Sequence, residues 1–150
     1  MTVDLAPLAE LGRRMVKETP HAAALGLRFV SVEPGIAVIA VPYRDDLVGD
    51  PATGVLAGGV VTSLLDHVCG LAIKAATFDS RATATLDLRI DYMRPAQPRR
   101  EVIGRAHCYR LTRTIAFVRA SAFEDDPADP IATAQAAFVL AGAAAMQERP

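Results

Sequence analysis

The 150 residues include no tryptophan, only two cysteines, and almost no excess of either charge. Sixteen basic residues against seventeen acidic ones leave a formal net charge of −1. Without a basic surplus there is no electrostatic footprint for nucleic acid. Cys69 and Cys108 stand far apart, one in an expected helix and one in an expected strand, so the chain carries no disulfide framework. Reduced structural thiols in a cytoplasmic protein are the expectation. No basic segment followed by an apolar run opens the sequence, which argues against a secretory signal. The longest apolar run, Ala136 to Met146, falls short of the ~20 residues that a membrane span requires. His21, His67 and His107 lack metal-ligand spacing and no HExxH motif occurs, so neither a metal nor another cofactor is expected. There is no internal repeat and no linker, and a single domain over residues 1–150 is expected.

What is present is a strongly apolar chain, 51% hydrophobic and 22% charged, a composition that belongs to a globular domain. It is organised around one stretch, GVLAGGVVTSLLDHVCGLAIKAAT from Gly54 to Thr77. From Gly58 onward Val61, Leu64, Leu65, Val68, Leu71, Ala72 and Ala75 recur at helical steps. So few charges dilute the pattern that the helix should be buried on most sides. A second face carries Gly59, Thr62, Ser63, Asp66 and Gly70, all small or polar, where another group could come close to the backbone. Asp66 lies mid-helix, where it cannot cap, and burying an unpaired carboxylate costs several kcal/mol. A solvated or paired surface carboxylate is the bland alternative, but Asp66 on an apolar helix is the first functional candidate.

Ahead of this helix, Leu5, Leu8, Leu11, Arg14 and Met15 predict a short amphipathic helix ending near Thr19-Pro20. A further turn from His21 is closed by Gly26. Leu27 to Val32 and Ile36 to Tyr43 form an expected hairpin around Glu33-Pro34-Gly35, and Arg44 to Thr53 an expected polar loop. After the helix, Ala82 to Arg94 alternates, with Leu86, Leu88, Ile90 and Tyr92 expected on one face and Thr85, Asp87, Arg89 and Asp91 on the other. Glu101 to Thr112 and Thr114 to Glu124 are long strands joined around Arg113. Ile131 to Leu140 is the last strand, and the tail beyond it is expected to fray. Tight turns between consecutive strands imply an antiparallel sheet. The fold class is α+β: one long central helix wrapped by a curved antiparallel sheet, with a short N-terminal helix.

Three motifs in this order resemble the hotdog-fold acyl-CoA thioesterases, in particular the phenylacetate-degradation (PaaI-like) type, over nearly the whole chain. They are Gly49-Asp50-Pro51-Ala52-Thr53-Gly54, the Gly58-Gly59 pair with Asp66, and TLDLRIDYMRPA from Thr85 to Ala96. The resemblance implies a hotdog fold, hydrolysis of an acyl-CoA thioester, and a homodimer or a tetramer of two dimers with its sites at the dimer interface. It also implies that Asp66 is the general base or nucleophile and that the Gly58 backbone N–H polarises the thioester carbonyl. Asp50, Gly59, Thr62, Thr85 and Arg94 are then candidates for substrate binding. Chemistry supports the same pair independently. A thioester has a good leaving group, so activated water and a donor for the developing oxyanion suffice, and a helix N-terminus supplies such donors.

Two positions depart from the family pattern: Ala57 stands where many relatives have histidine, and Asp50 where many have asparagine. The absent histidine keeps a second reading open, a non-catalytic hotdog protein that binds acyl thioesters or serves as an interaction module. Ser63 and His67, at i and i+4, have the spacing of a nucleophile–base pair, but no G-x-S-x-G elbow surrounds Ser63. Arg89, Arg94, Arg110 and Arg113 are strand or turn charges, any of which could meet the phosphates of CoA. Small residues near the helix and few aromatics leave the acyl group undetermined.

Overall fold

The computed structural model describes residues 3–142, so the tail expected to fray lies outside the described residues beyond Gly142. Helix α1 (Ala6–Glu18) turns Leu8, Gly12 and Val16 inward. Pro20 then opens α2 (Pro20–Leu25), and Gly26, left-handed at φ 72°, closes it, as a glycine with no Cβ readily does. Strands β1 (Arg28–Glu33) and β2 (Ile36–Val41) form the expected hairpin.

The expected polar loop is more ordered than its composition indicates. It contains a 3-10 turn (Asp45–Leu47) and β3 (Val48–Asp50), which pairs with β4 (Val55–Leu56). Strands this short leave no alternation to read. Their register comes from the turn, where Asp50 Oδ1 accepts the Ala52 N–H at 3.0 Å and the Gly54 N–H reaches the Asp50 carbonyl at 2.8 Å. Gly49 is required by close approach, because a Cβ there would sit 2.7 Å from Ala57 Cα. The small hairpin thus presses on the residue that starts the long helix.

Helix α3 (Gly58–Thr77) follows, with β5 (Thr83–Tyr92), β6 (Val102–Leu111), β7 (Ile115–Phe123) and β8 (Ala132–Leu140) behind it. The antiparallel six-stranded sheet runs β1-β2-β6-β7-β8-β5, and α3 touches all six strands. A sheet that meets one helix with every strand has to curve around it. Leu64, Leu65, Val68, Leu71 and Ile73 of α3 are wholly buried, each stabilising the fold by roughly 1.5–3 kcal/mol of transfer free energy. By length and apolarity α3 could cross a membrane, but most of it is inside the protein. Gly104 on β6 lets the helix in, since a Cβ there would lie 2.9 Å from Leu64 Cγ.

One expectation about β5 is corrected. Its register against β8 slips between Thr85 and Asp87, a bulge that swaps the faces of the residues before it. Leu86 is therefore 59% exposed, while Leu88 and Ile90 still pack on the core. Thr85 turns toward α3 instead.

Candidate active site

Asp66 sits half-buried on α3, and its carboxylate is held from outside the helix. Thr85 Oγ1 donates to Asp66 Oδ1 at 2.8 Å, a bond that exists because the bulge in β5 aims Thr85 inward. Oδ2 has no hydrogen-bond donor among the described residues. The pair opens into a cleft of about 490 Å³ between α2, α3 and β5, with Ala22, Leu25, Leu27 and Leu88 as apolar walls. A carboxylate with a free oxygen at the edge of a cleft has the chemistry of a general base toward water.

His67 and His21 line the same cleft. His67 Nε2 is buried with no hydrogen-bond partner among the described residues. Burial pushes its pKa down, against a smaller upward pull from Asp66, so the ring is held neutral. Ser63 is not paired with it: Ser63 Oγ donates to the Gly59 carbonyl at 2.9 Å. The cysteines are both free and buried, and burial pushes the Cys69 thiol up to about 12, so it is an inert packing group.

At the other end of α3, Ala57 supplies no capping side chain. The Ala57 N–H reaches the Leu47 carbonyl at 2.9 Å and the Val60 N–H the Ala57 carbonyl at 3.0 Å. Between them, the N–H groups of Gly58 and Gly59 have no acceptor among the described residues. Both glycines are exposed, and a Cβ on Gly59 would meet nothing within 4 Å. Gly58 borders a separate, mostly apolar cleft of about 390 Å³ with Val61, Tyr92, Met93 and Ala96. Tyr92 Oη donates to the Gly58 carbonyl at 2.8 Å and lies 2.6 Å from Thr62 Oγ1. In the sequence Tyr92 is one of the alternating residues of β5 and part of the motif from Thr85 to Ala96. Its hydroxyl was visible in the sequence, but nothing local pointed it at residue 58.

Of the seven candidates, Asp66 and Thr85 meet at the first cleft, and Gly58, Gly59 and Thr62 share the opening turns of α3. Asp50 is apart from both. Its carboxylate bonds within its own turn, to the Ala52 N–H at 3.0 Å and the Thr53 hydroxyl at 2.8 Å. Arg94 is fully engaged. Its Nη1 reaches Glu124 Oε1 at 3.1 Å, its Nε Asp129 Oδ1 at 3.2 Å, and its Nη2 the Asp129 carbonyl at 2.8 Å. Hydrogen bonding with Glu124 raises the Arg94 pKa further, and the guanidinium ties the loop after β5 to the β7–β8 turn while Arg94 also borders the Gly58 cleft. Arg89 pairs with Asp91 at 3.2 Å on the surface. Arg110 and Arg113 are exposed on β6 and in the turn after it. No three metal-ligating side chains converge among the described residues.

The chain matches the family model of the thioesterase superfamily over residues 53–131, a span from the β3–β4 turn through α3 to the start of β8. It is 32% identical to a medium/long-chain acyl-CoA thioesterase, YigI, of Salmonella typhimurium, over 73% of each chain. A solved Pseudomonas aeruginosa structure superposes with a TM-score of 0.81 at 40% identity, covering 89% of this chain and 98% of that one. A mutant form of the phenylacetic acid degradation protein PaaI from Thermus thermophilus superposes with a TM-score of 0.69 at 28% identity, covering 80% and 97%.

Proposed function

The chain belongs to the thioesterase superfamily, and from that premise we propose that it hydrolyses acyl-CoA thioesters to the free acid and CoA. The observation that carries this reading is the Asp66 carboxylate, fixed through one oxygen by Thr85 and unpaired at the other, at the edge of an apolar cleft. In the proposed mechanism Asp66 is the general base. It takes a proton from water as the water oxygen bonds to the thioester carbon. The carbonyl oxygen becomes an oxyanion and is held by the Gly58 N–H, with the positive end of α3 behind it. Collapse restores the carbonyl, breaks the C–S bond, and releases CoA thiolate, which recovers the proton from Asp66.

Gly58 and Asp66 of one subunit cannot serve the same thioester. Eight residues at ~1.5 Å each separate them by about 12 Å along α3, and they border different clefts. A homodimer with antiparallel α3 helices brings Gly58 of one copy opposite Asp66 of the other. The exposed outer edge of β5, with Leu86, Tyr92 and Met93 bare, is the apolar surface such a partner would cover. Pairing of two dimers into a tetramer is compatible with the same site.

The test is release of free thiol from a panel of acyl-CoAs of increasing chain length, followed with a thiol reagent. Turnover above the enzyme-free rate supports hydrolysis. Saturable binding without turnover at any length would reject it and leave a thioester-binding protein.

A further inference from the structure

We propose that Tyr92 is a positioning residue for the oxyanion end of α3, acting through the Gly58 carbonyl; the inference rests on the acyl-CoA hydrolase reading above. Helix α3 begins with two adjacent glycines and no side-chain cap. Glycine carries an entropic penalty of roughly 0.5–1 kcal/mol relative to alanine in a helix, so this first turn is poorly held by its own sequence. It is held from outside. Tyr92 Oη donates to the Gly58 carbonyl at 2.8 Å, Thr62 Oγ1 lies 3.1 Å from the same carbonyl, and the two hydroxyls are 2.6 Å apart.

Three oxygens therefore meet with two hydroxyl protons among them. Either hydroxyl can donate to the carbonyl while the other donates to its neighbour, so the carbonyl stays bonded in both arrangements. The Gly58 carbonyl and the Gly59 N–H belong to one planar peptide unit. A donor on that carbonyl fixes the plane and strengthens the N–H as a donor, by roughly 10–30% in condensed-phase estimates. The Gly58 N–H belongs to the preceding Ala57–Gly58 peptide, which meets this plane at the Gly58 Cα, so a held plane limits the torsion through which the two units turn against each other.

Packing within the subunit does not explain the tyrosine. Tyr92 is 50% exposed in the single subunit, and its hydroxyl and ring supply the three nearest atoms to a Cβ built on Gly58, at 3.7 to 3.9 Å. The strand end that carries it is anchored independently. The Met93 N–H bonds to the Ile131 carbonyl at 2.8 Å, and Arg94 is clamped by Glu124 and Asp129. Tyr92 thus ties the anchored end of β5 to the glycine start of α3.

The experiment compares Tyr92→Phe, Thr62→Val and the double variant with the wild type, measuring kcat and KM for an acyl-CoA that the wild type turns over, and the melting temperature. Each single variant should lower kcat by roughly three- to tenfold, the worth of one neutral hydrogen bond. KM should change by less than about twofold, because the interaction is realised in the transition state. The double variant should lose more than the product of the singles, since each hydroxyl alone keeps the carbonyl bonded. A Tyr92→Phe enzyme and a double variant at wild-type kcat would overturn the inference. So would losses that appear only in KM or only in melting temperature, which mark a packing role. If Tyr92→Phe does not fold, the kcat of Thr62→Val decides between the same outcomes. A wild type without thioester hydrolysis removes the hydrolase reading and this inference together. Hydrolysis that needs Asp66 but not Tyr92 removes this inference alone.

Discussion

At the scale of single residues, the proposed site reduces to a carboxylate and a backbone N–H. Asp66→Asn keeps the shape and still accepts the Thr85 hydroxyl, but it cannot take a proton from water. The expected kcat loss is roughly 10²–10⁴-fold, the contribution of a positioned general base. KM should move little, and the melting temperature should hold or rise because a half-buried charge is removed. Steady-state kinetics with a thermal melt decides; unchanged kcat, or a variant that unfolds, makes the carboxylate structural. Gly58→Pro addresses the other group. Proline suits the first turn of a helix but has no N–H, so an oxyanion donor lost there costs about 2.7–4 kcal/mol in the transition state. Equal turnover at equal stability would clear Gly58 of that role. Asp50 and Arg94, legible by motif, hold turns together through their own hydrogen bonds. Both have a structural part in their turns, and Arg94 also borders the Gly58 cleft.

At the scale of elements, the helix and the sheet fit because small residues face large ones. Gly104 on β6 lies under Leu64 of α3, and Gly104→Ala would put a methyl 2.9 Å from Leu64 Cγ. Overpacking of this kind costs typically about 1–3 kcal/mol, to be read as a lower melting temperature with α3 pushed off the sheet. The loop after β5 depends instead on charge. Glu124 is 5% exposed; burial pushes its pKa up, but the hydrogen bonds from Arg94 and the Gln97 N–H bring it below the ordinary value of 4.5. A depressed carboxylate stabilises the fold fully above 4.5 and loses that contribution as pH falls through its folded pKa. The wild type should therefore lose melting temperature on acidification past 4.5. Glu124→Gln should start about 1.5–3 kcal/mol less stable at neutral pH, and the two curves should converge in acid. Parallel curves would show that the pair contributes nothing.

For the whole molecule, the decisive property is assembly. One subunit places Gly58 and Asp66 at different clefts and, among the described residues, leaves the outer edge of β5 unpaired. Exposed strand edges with apolar side chains favour pairing with another chain, and a two-fold dimer is the commonest closed solution. Light scattering at micromolar protein should give at least twice the 15.9 kDa chain mass. A well-folded monomer that turns over acyl-CoA would end the shared-site mechanism.

The sequence by itself determined the order of the long elements, the buried central helix and the turns between the long strands. Hydrophobic period, proline and glycine are local signals that act within a few residues. It also carried the Gly58-Gly59 and Asp66 motif, because helical spacing and family resemblance both read along the chain. The hairpin hidden in the polar loop, the outward turn of Leu86 and the inward turn of Thr85 belong to tertiary structure alone. A β-bulge shifts the register by one residue against a strand far along the chain, and no alternation in β5 can announce it. The same holds for the bonds that organise the site. Thr85 with Asp66 and Tyr92 with Gly58 join residues on different elements, so only the curvature of the sheet around α3 decided that those hydroxyls meet those oxygens.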